Sequence, residues 1–138
     1  MKKFEYLEHT ADVKIKAYGN NLEETFTNVA LGMFNHLTDI EKVKPVIKHE
    51  LNIKAKRVKS LLYDFLEDLL ILLDTDGFIL NKIEKISIKE EGEEFILHAI
   101  CYGDSYKNYD VNGNIKSITY NDMEITDKEI IVVVDVWN

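Results

Sequence analysis

The chain of 138 residues has the length of a single domain. Hydrophobic residues make up 46% of it and charged residues 30%, which is typical of a folded globular protein and excludes extensive disorder. Lys and Arg number 17 against 25 Asp and Glu, so the formal charge is −8. This acidity argues against a protein that covers nucleic acid with most of its surface, because such binding requires a basic surface.

The sequence contains no signal for secretion or membrane insertion. No apolar segment approaches the roughly 20 residues that cross a bilayer, and the first residues lack the apolar stretch of a signal peptide. The single cysteine, Cys101, excludes an intramolecular disulfide. We therefore expect a cytoplasmic protein without membrane association. Because no linker-like or repetitive segment interrupts the chain, we predict one domain over residues 1–138.

The first predicted elements are a strand and a helix. Apolar and polar residues alternate over residues 13–18, which predicts a half-buried strand. Asn21, with Glu24 three residues later, is typical of a helix N-terminus. Apolar residues follow at helical spacing and predict an amphipathic helix of about 17 residues.

The rest of the chain contains one more predicted helix and several strands. Alternation predicts a strand over residues 47–55, and leucines at helical spacing predict a helix over 59–73 that stops at Asp74–Gly77. Further strands are predicted at 78–89, 95–102, 115–120 and 130–137, with a hairpin turn at 90–93 and a polar loop at 103–114. The sequence therefore predicts an α+β fold in which two helices pack on a mixed or antiparallel sheet.

Two carboxylates stand out at the two ends of the chain. Asp135 interrupts a run that is apolar on both faces, which predicts a central strand. A carboxylate there needs a partner, and strand-end hydrogen bonding remains an alternative to a functional site. Asp12 begins the first patterned strand, where a turn or a strand cap is the alternative to a functional site. If the two strands are neighbours, the carboxylates converge into an oxygen-only site that suits calcium or magnesium and not zinc.

Three further features allow a structural and a functional interpretation. His9 lies next to Asp12 in sequence and is either a packed side chain or part of the site. Asp104 opens the predicted polar loop, as a turn residue or as a group that faces a partner. Residues 42–59 hold six lysines and Arg57 against the single acid Glu50, a net charge of +6. This stretch is either a solvated strand face or a basic strip for RNA or an acidic partner.

Several segments together resemble the archease family. They follow one another in the family's order over nearly the whole chain: Tyr6–Val13, Ala17–Gly19, Leu22–Phe26, Met33–Phe34, Ser60–Leu66, Asp76–Phe78, Tyr102–Asp104, Lys116–Tyr120 and Val133–Val136. The His-Thr-Ala-Asp opening and the Lys-x-Ile-Thr-Tyr segment are specific in combination, although either alone is weak.

The resemblance implies an α+β fold and a role as an accessory protein of the RNA-splicing ligase RtcB. Such a protein promotes formation of the ligase's guanylylated histidine and supports multiple turnover. The ligase joins RNA ends that bear a 2′,3′-cyclic phosphate or 3′-phosphate to a 5′-hydroxyl. The resemblance thus implies that this chain is not itself an enzyme and meets tRNA only through the ligase.

The resemblance also implies a divalent metal site. Its ligands would be Asp12, Asp135 and the main-chain oxygen of Val136, with calcium as the first expectation and magnesium or manganese as others. The family often has Glu where this chain has Asp104, and many members end before the position of the Trp137–Asn138 tail. A stand-alone metal-dependent enzyme acting on nucleotides or RNA, a general chaperone, and an RNA-binding module that uses residues 42–59 remain alternatives.

Overall fold

The computed structural model describes residues 2–137 and contains two α-helices and eight strands within that range. They are β1 (Phe4–Leu7), β2 (Asp12–Tyr18), α1 (Leu22–Asn35), β3 (Ile47–Ala55), α2 (Val58–Asp76), β4 (Phe78–Glu91), β5 (Glu94–Ser105), β6 (Ser117–Ile118), β7 (Glu124–Ile125) and β8 (Glu129–Asp135). Every strand pair in the described part of the chain is antiparallel. The predicted α+β class is confirmed, and the sheets are antiparallel and not mixed.

The strands form two sheets. The first has the order β1-β2-β8-β6, with β7 also paired to β8, and the second has the order β3-β5-β4. β8 lies inside the first sheet, which confirms the prediction of a central strand. It pairs with β2 along its whole length, from Asp12 opposite Asp135 to Tyr18 opposite Glu129. The first well-patterned strand and the last strand of the chain are therefore neighbours.

Both helices pack against the inner faces of the sheets. α1 begins where predicted, because the Asn21 Oδ1 accepts a hydrogen bond from the Glu24 N–H at 2.8 Å. It contacts β1, β2, β4 and β8. α2 contacts all three strands of the second sheet and also β6 and β7 of the first. One hydrophobic core connects both sheets and both helices. No helix within residues 2–137 is long and apolar enough to cross a membrane.

The helix ends differ from the sequence prediction. α1 has 14 residues and stops at Asn35, before the predicted end. Leu37 still reaches the core, because its N–H bonds to the Phe34 carbonyl in a tighter turn. α2 continues through Asp76 and ends at Gly77, whose φ of 69° is the left-handed conformation typical of a glycine that ends a helix.

β5 is longer than predicted. The sequence predicts a polar loop from Gly103 onward, but the strand continues to Ser105 and pairs Gly103 with Leu80 and Asp104 with Ile79. The glycine permits this pairing, since a Cβ at position 103 would lie 1.9 Å from the Ile79 carbonyl oxygen.

Cys101 lies within the same strand and faces the core. It is fully buried, and burial raises the pKa of its thiol to about 12. A thiol in that state packs as a small hydrophobic side chain and is not available as a nucleophile at neutral pH.

Candidate functional site

The register between β2 and β8 places Asp12 directly opposite Asp135. Directly opposed side chains in an antiparallel pair point to the same face of the sheet, with Cβ atoms roughly 5 Å apart. Ile15 and Ala17 are fully buried on the inner face of β2, so Asp12 projects from the outer face. β2 and β8 are neighbours, so the carboxylates of Asp12 and Asp135 converge, as the sequence predicted for that case.

Asp135 also has a neighbouring strand, β6, on the side of β8 that faces away from Asp12. β6 pairs with β8 so that Ser117 lies opposite Asp135, and the Ser117 hydroxyl donates to the Asp135 Oδ2 at 3.3 Å. The Lys116 N–H donates to the main-chain oxygen of Asp135 at 2.7 Å. Asp12, Asp135 and Ser117 thus form a row across three strands. Ser117 was not predicted as part of the site, although its segment was among those that carry the family resemblance.

A second layer of charged groups surrounds Asp12. The Nδ1 of His9 lies 3.5 Å from the Asp12 Oδ2, and its Nε2 lies 3.7 Å from the Asp122 Oδ2. The Lys14 Nζ lies 3.6 Å from the same Asp122 oxygen. We call Asp12, Asp135 and Asp122, with His9 and Lys14, the acidic corner. Asp122 and Lys14 were not predicted, because nothing in their local sequence indicates that they meet Asp12.

The two turns at the acidic corner have unusual backbone conformations. Ala11 has φ 64° and Asp122 has φ 54°, and they are the non-glycine residues with positive φ within residues 2–137. The left-handed region costs on the order of 1 kcal/mol for a residue with a Cβ. Asp adopts this conformation more readily than Ala does. Both conformations occur beside carboxylates of the corner, so the fold holds these side chains in place at some cost in stability.

The donor chemistry of the corner fits a hard cation. Asp12 and Asp135 supply two carboxylates, and the carbonyl of Val136 follows directly after Asp135. Within residues 2–137, no group of three or more His, Cys, Asp or Glu side chains is placed to hold a metal ion. An ion bound here would complete its shell with main-chain and water oxygens, which calcium and magnesium accept. Zinc, which prefers nitrogen and sulfur ligands, fits poorly. Metal binding by Asp12, Asp135 and Val136 stays a prediction.

Asp104 lies on the other sheet and is not part of this corner. The residue is 8% exposed, and its carboxylate accepts hydrogen bonds from the Tyr109 hydroxyl at 2.7 Å and the Ser105 N–H at 2.8 Å. These bonds, the one from Tyr109 foremost, lower the pKa of Asp104 below its ordinary value. Asp104 therefore fastens the segment after β5 and lies within the strand, not in the predicted loop. The partner-facing roles of Asp104 and His9 stay predictions.

The C-terminal tail runs beside the acidic corner. Trp137 is 60% exposed, its backbone N–H donates to the Asn114 Oδ1, and its ring centroid lies 4.8 Å from the Lys116 Nζ. Asn138 lies outside the described residues. The tail thus covers Lys116, whose backbone N–H binds the Asp135 carbonyl.

Comparison with known proteins gives one consistent result. Residues 4–136 match the sequence model of the Archease protein family. A curated relative named "Protein archease" from Methanosarcina mazei is 40% identical over 126 residues, which cover 90% of this chain and 86% of that protein. One from Pyrococcus furiosus is 35% identical over 127 residues, covering 91% and 89%. The solution structure of protein 1598 from Methanobacterium thermoautotrophicum superposes with a TM-score of 0.84 at 32% identity, covering 99% of this chain and 100% of that one.

Proposed function

Because the chain belongs to the archease family, we propose that it is an accessory protein that activates an RtcB-type RNA-splicing ligase. In this role it promotes guanylylation of the ligase and allows the ligase to turn over repeatedly. The observation that supports the proposal best is the cross-strand pair of Asp12 and Asp135. These are the positions at which the resemblance implies metal ligands, and they converge in one place.

The proposed mechanism is protein docking through the acidic corner. Asp12 and Asp135 present their carboxylates on one face of the sheet, where the Ser117 hydroxyl and the His9 ring hold them. A bound divalent cation would neutralise the mutual repulsion of the two carboxylates. The corner would then engage the ligase near its nucleotide and metal site. This mechanism requires no direct contact between the chain and tRNA, and the chain makes or breaks no bond itself.

A second candidate function is a metal-dependent enzyme that acts on RNA or nucleotides alone. The observation in its favour is His9, an imidazole 3.5 Å from Asp12 that could serve as a general base. Both of its ring nitrogens, however, face carboxylates, since the other nitrogen lies 3.7 Å from Asp122. Turnover of labelled RNA by the purified protein with calcium, magnesium or manganese would support the enzyme over the accessory protein.

The activator proposal is tested in a ligation assay with catalytic amounts of ligase and excess RNA. Wild-type protein, Asp12→Asn and Asp135→Asn are added in turn. The matched control is Glu129→Gln, which removes a carboxylate at the opposite end of the same strand pair. Within residues 2–137, the ion pair of Glu129 is with the Lys16 Nζ, at 3.7 Å.

We expect repeated turnover with wild type and Glu129→Gln, and little above the unassisted level with either corner variant. Absence of stimulation by the wild type would reject the activator role. Full stimulation by both corner variants would reject the acidic corner as the functional site.

A further inference from the structure

The outer face of the second sheet is basic, although the chain as a whole is acidic. Leu51 and Ile53 on β3 and Leu97 and Ala99 on β5 are buried, so the residues between them project outward. The register of the three strands places five lysines on this outer face, in two rows on either side of β5. They are Lys48 and Lys54 on β3 and Lys82, Lys85 and Lys89 on β4, all of them exposed.

The central strand between the rows presents rings and aliphatic side chains. Its outward residues are half-buried and follow one another along β5: Ile96, His98, Ile100 and Tyr102. We call these four residues and the five lysines the lysine platform. The rows lie two strand spacings apart, about 10 Å, and extend about 20 Å along the strands.

Most lysines of the lysine platform form no ion pair among residues 2–137, although the exposed Glu84 lies at the bulge of β4 between Lys82 and Lys85. Glu50 is the acid on the outward side of β3 between Lys48 and Lys54, and its carboxylate lies 3.7 Å from both Lys48 and His98. Among residues 2–137, the other four platform lysines have no carboxylate within 4 Å. The net charge of −8 argues against nucleic acid around most of the surface, but it does not argue against binding on this one face.

We propose that the lysine platform binds single-stranded RNA. Lysines in both rows would contact phosphates, which gives affinity without sequence preference. Between them, Tyr102 and His98 offer ring faces on which bases stack, as in other sheet surfaces that bind single strands. The Lys82 Nζ lies 5.6 Å from the Tyr102 ring centroid, which places a charge that would contact a phosphate next to a ring on which a base would stack. An acidic protein would also contact the lysines, but it would make no use of the rings on the central strand.

The proposal concerns the second sheet and is independent of the proposed activation of a ligase. It is tested by fluorescence anisotropy of a labelled ten-nucleotide RNA of mixed sequence, with the full chain at about 50 mM salt. We expect a dissociation constant on the order of 100 μM or tighter, as for other binding that depends on phosphate contacts alone. Three phosphate contacts would give a slope of log affinity against log salt of about −2.

Two double variants distinguish RNA binding at the lysine platform from an effect of net charge alone. The double variant Lys48→Glu/Lys82→Glu should bind at least tenfold more weakly, because it reverses one charge in each row beside Tyr102. The control Lys2→Glu/Lys128→Glu changes the net charge by the same amount at two exposed residues off this sheet and should remain within about twofold of wild type. Tyr102→Leu, which keeps apolar bulk and removes the ring, should bind at least threefold more weakly while its circular dichroism and melting stay native.

Three results would overturn the proposal: no anisotropy change at about 500 μM protein, an equal loss in the control and the platform variant, or binding of a polyglutamate peptide but not RNA through the same lysines. The last result would assign the platform to an acidic protein. Because no ligase is present, failure here leaves the activator proposal intact, and failure of ligase stimulation leaves this one intact.

Discussion

Replacing Asp135 with Asn should stabilise the metal-free protein. Asp12 and Asp135 are directly opposed, with Cβ atoms roughly 5 Å apart. At that separation and an effective dielectric constant between about 20 and 80, two negative charges repel each other by about 1–3 kcal/mol. Asp12 is partly exposed, with 25% of its side chain accessible, so we expect the lower end of this range, about 1 kcal/mol. An amide oxygen at position 135 can still accept the Ser117 hydroxyl.

The assay is thermal unfolding of wild type and Asp135→Asn in chelator and in calcium. In chelator the variant should melt about 2–4 °C higher than wild type. Calcium at 100 times its dissociation constant should stabilise the wild type by about 2.7 kcal/mol, and the variant by much less. Glu129→Gln, at the far end of the same strands, should respond to calcium like wild type. A lower melting temperature of Asp135→Asn in chelator, together with an undiminished calcium response, would refute the reasoning.

Three other predictions concern the second sheet. Gly103→Ala should cost about 3 kcal/mol or more in thermal unfolding, because its Cβ would collide with the Ile79 carbonyl oxygen; a native melting temperature would contradict the close approach. Tyr109→Phe removes the main cause of the lowered pKa of Asp104. A carboxyl group whose pKa is lowered by folding stabilises the protein at pH values above its ordinary pKa, and this contribution is lost as the pH falls through the lowered pKa. The free energy of unfolding, measured in urea at several pH values, should therefore be reduced most in the variant near neutral pH and least in acid. Cys101, whose pKa burial raises to about 12, should react with a thiol reagent only on unfolding, at a rate that rises with urea; rapid reaction of the native protein would be the opposite result.

Local patterns were sufficient for much of the fold. Alternation over residues 13–18 and 47–55 corresponds to β2 and β3, and Asn21 caps α1, because side-chain periodicity and capping depend on neighbours in sequence. β1 and β7 were not predicted, since strands of four and two residues carry little periodic signal. The length of β5 was underestimated because Gly103 reads as a turn residue until its pairing partner is known.

The candidate site could be predicted only in part. Asp12 and Asp135 stood out as carboxylates beside apolar strands, and their meeting depended on strand order, which periodicity does not determine. Ser117 and Asp122 join them through register and turn geometry that arise from contacts far apart in sequence. The lysine platform is a similar case. A count along the chain finds the basic stretch at residues 42–59, whereas the sheet replaces part of that stretch with three lysines from β4.

The most direct measurement of the central claim is incorporation of labelled guanylate into the ligase, with this chain added as wild type, Asp135→Asn or Glu129→Gln. The claim is that the paired carboxylates act on the ligase, so wild type and Glu129→Gln should accelerate labelling equally and Asp135→Asn should not. Acceleration by Asp135→Asn equal to that of wild type, in a variant whose circular dichroism shows that it is folded, would contradict the claim.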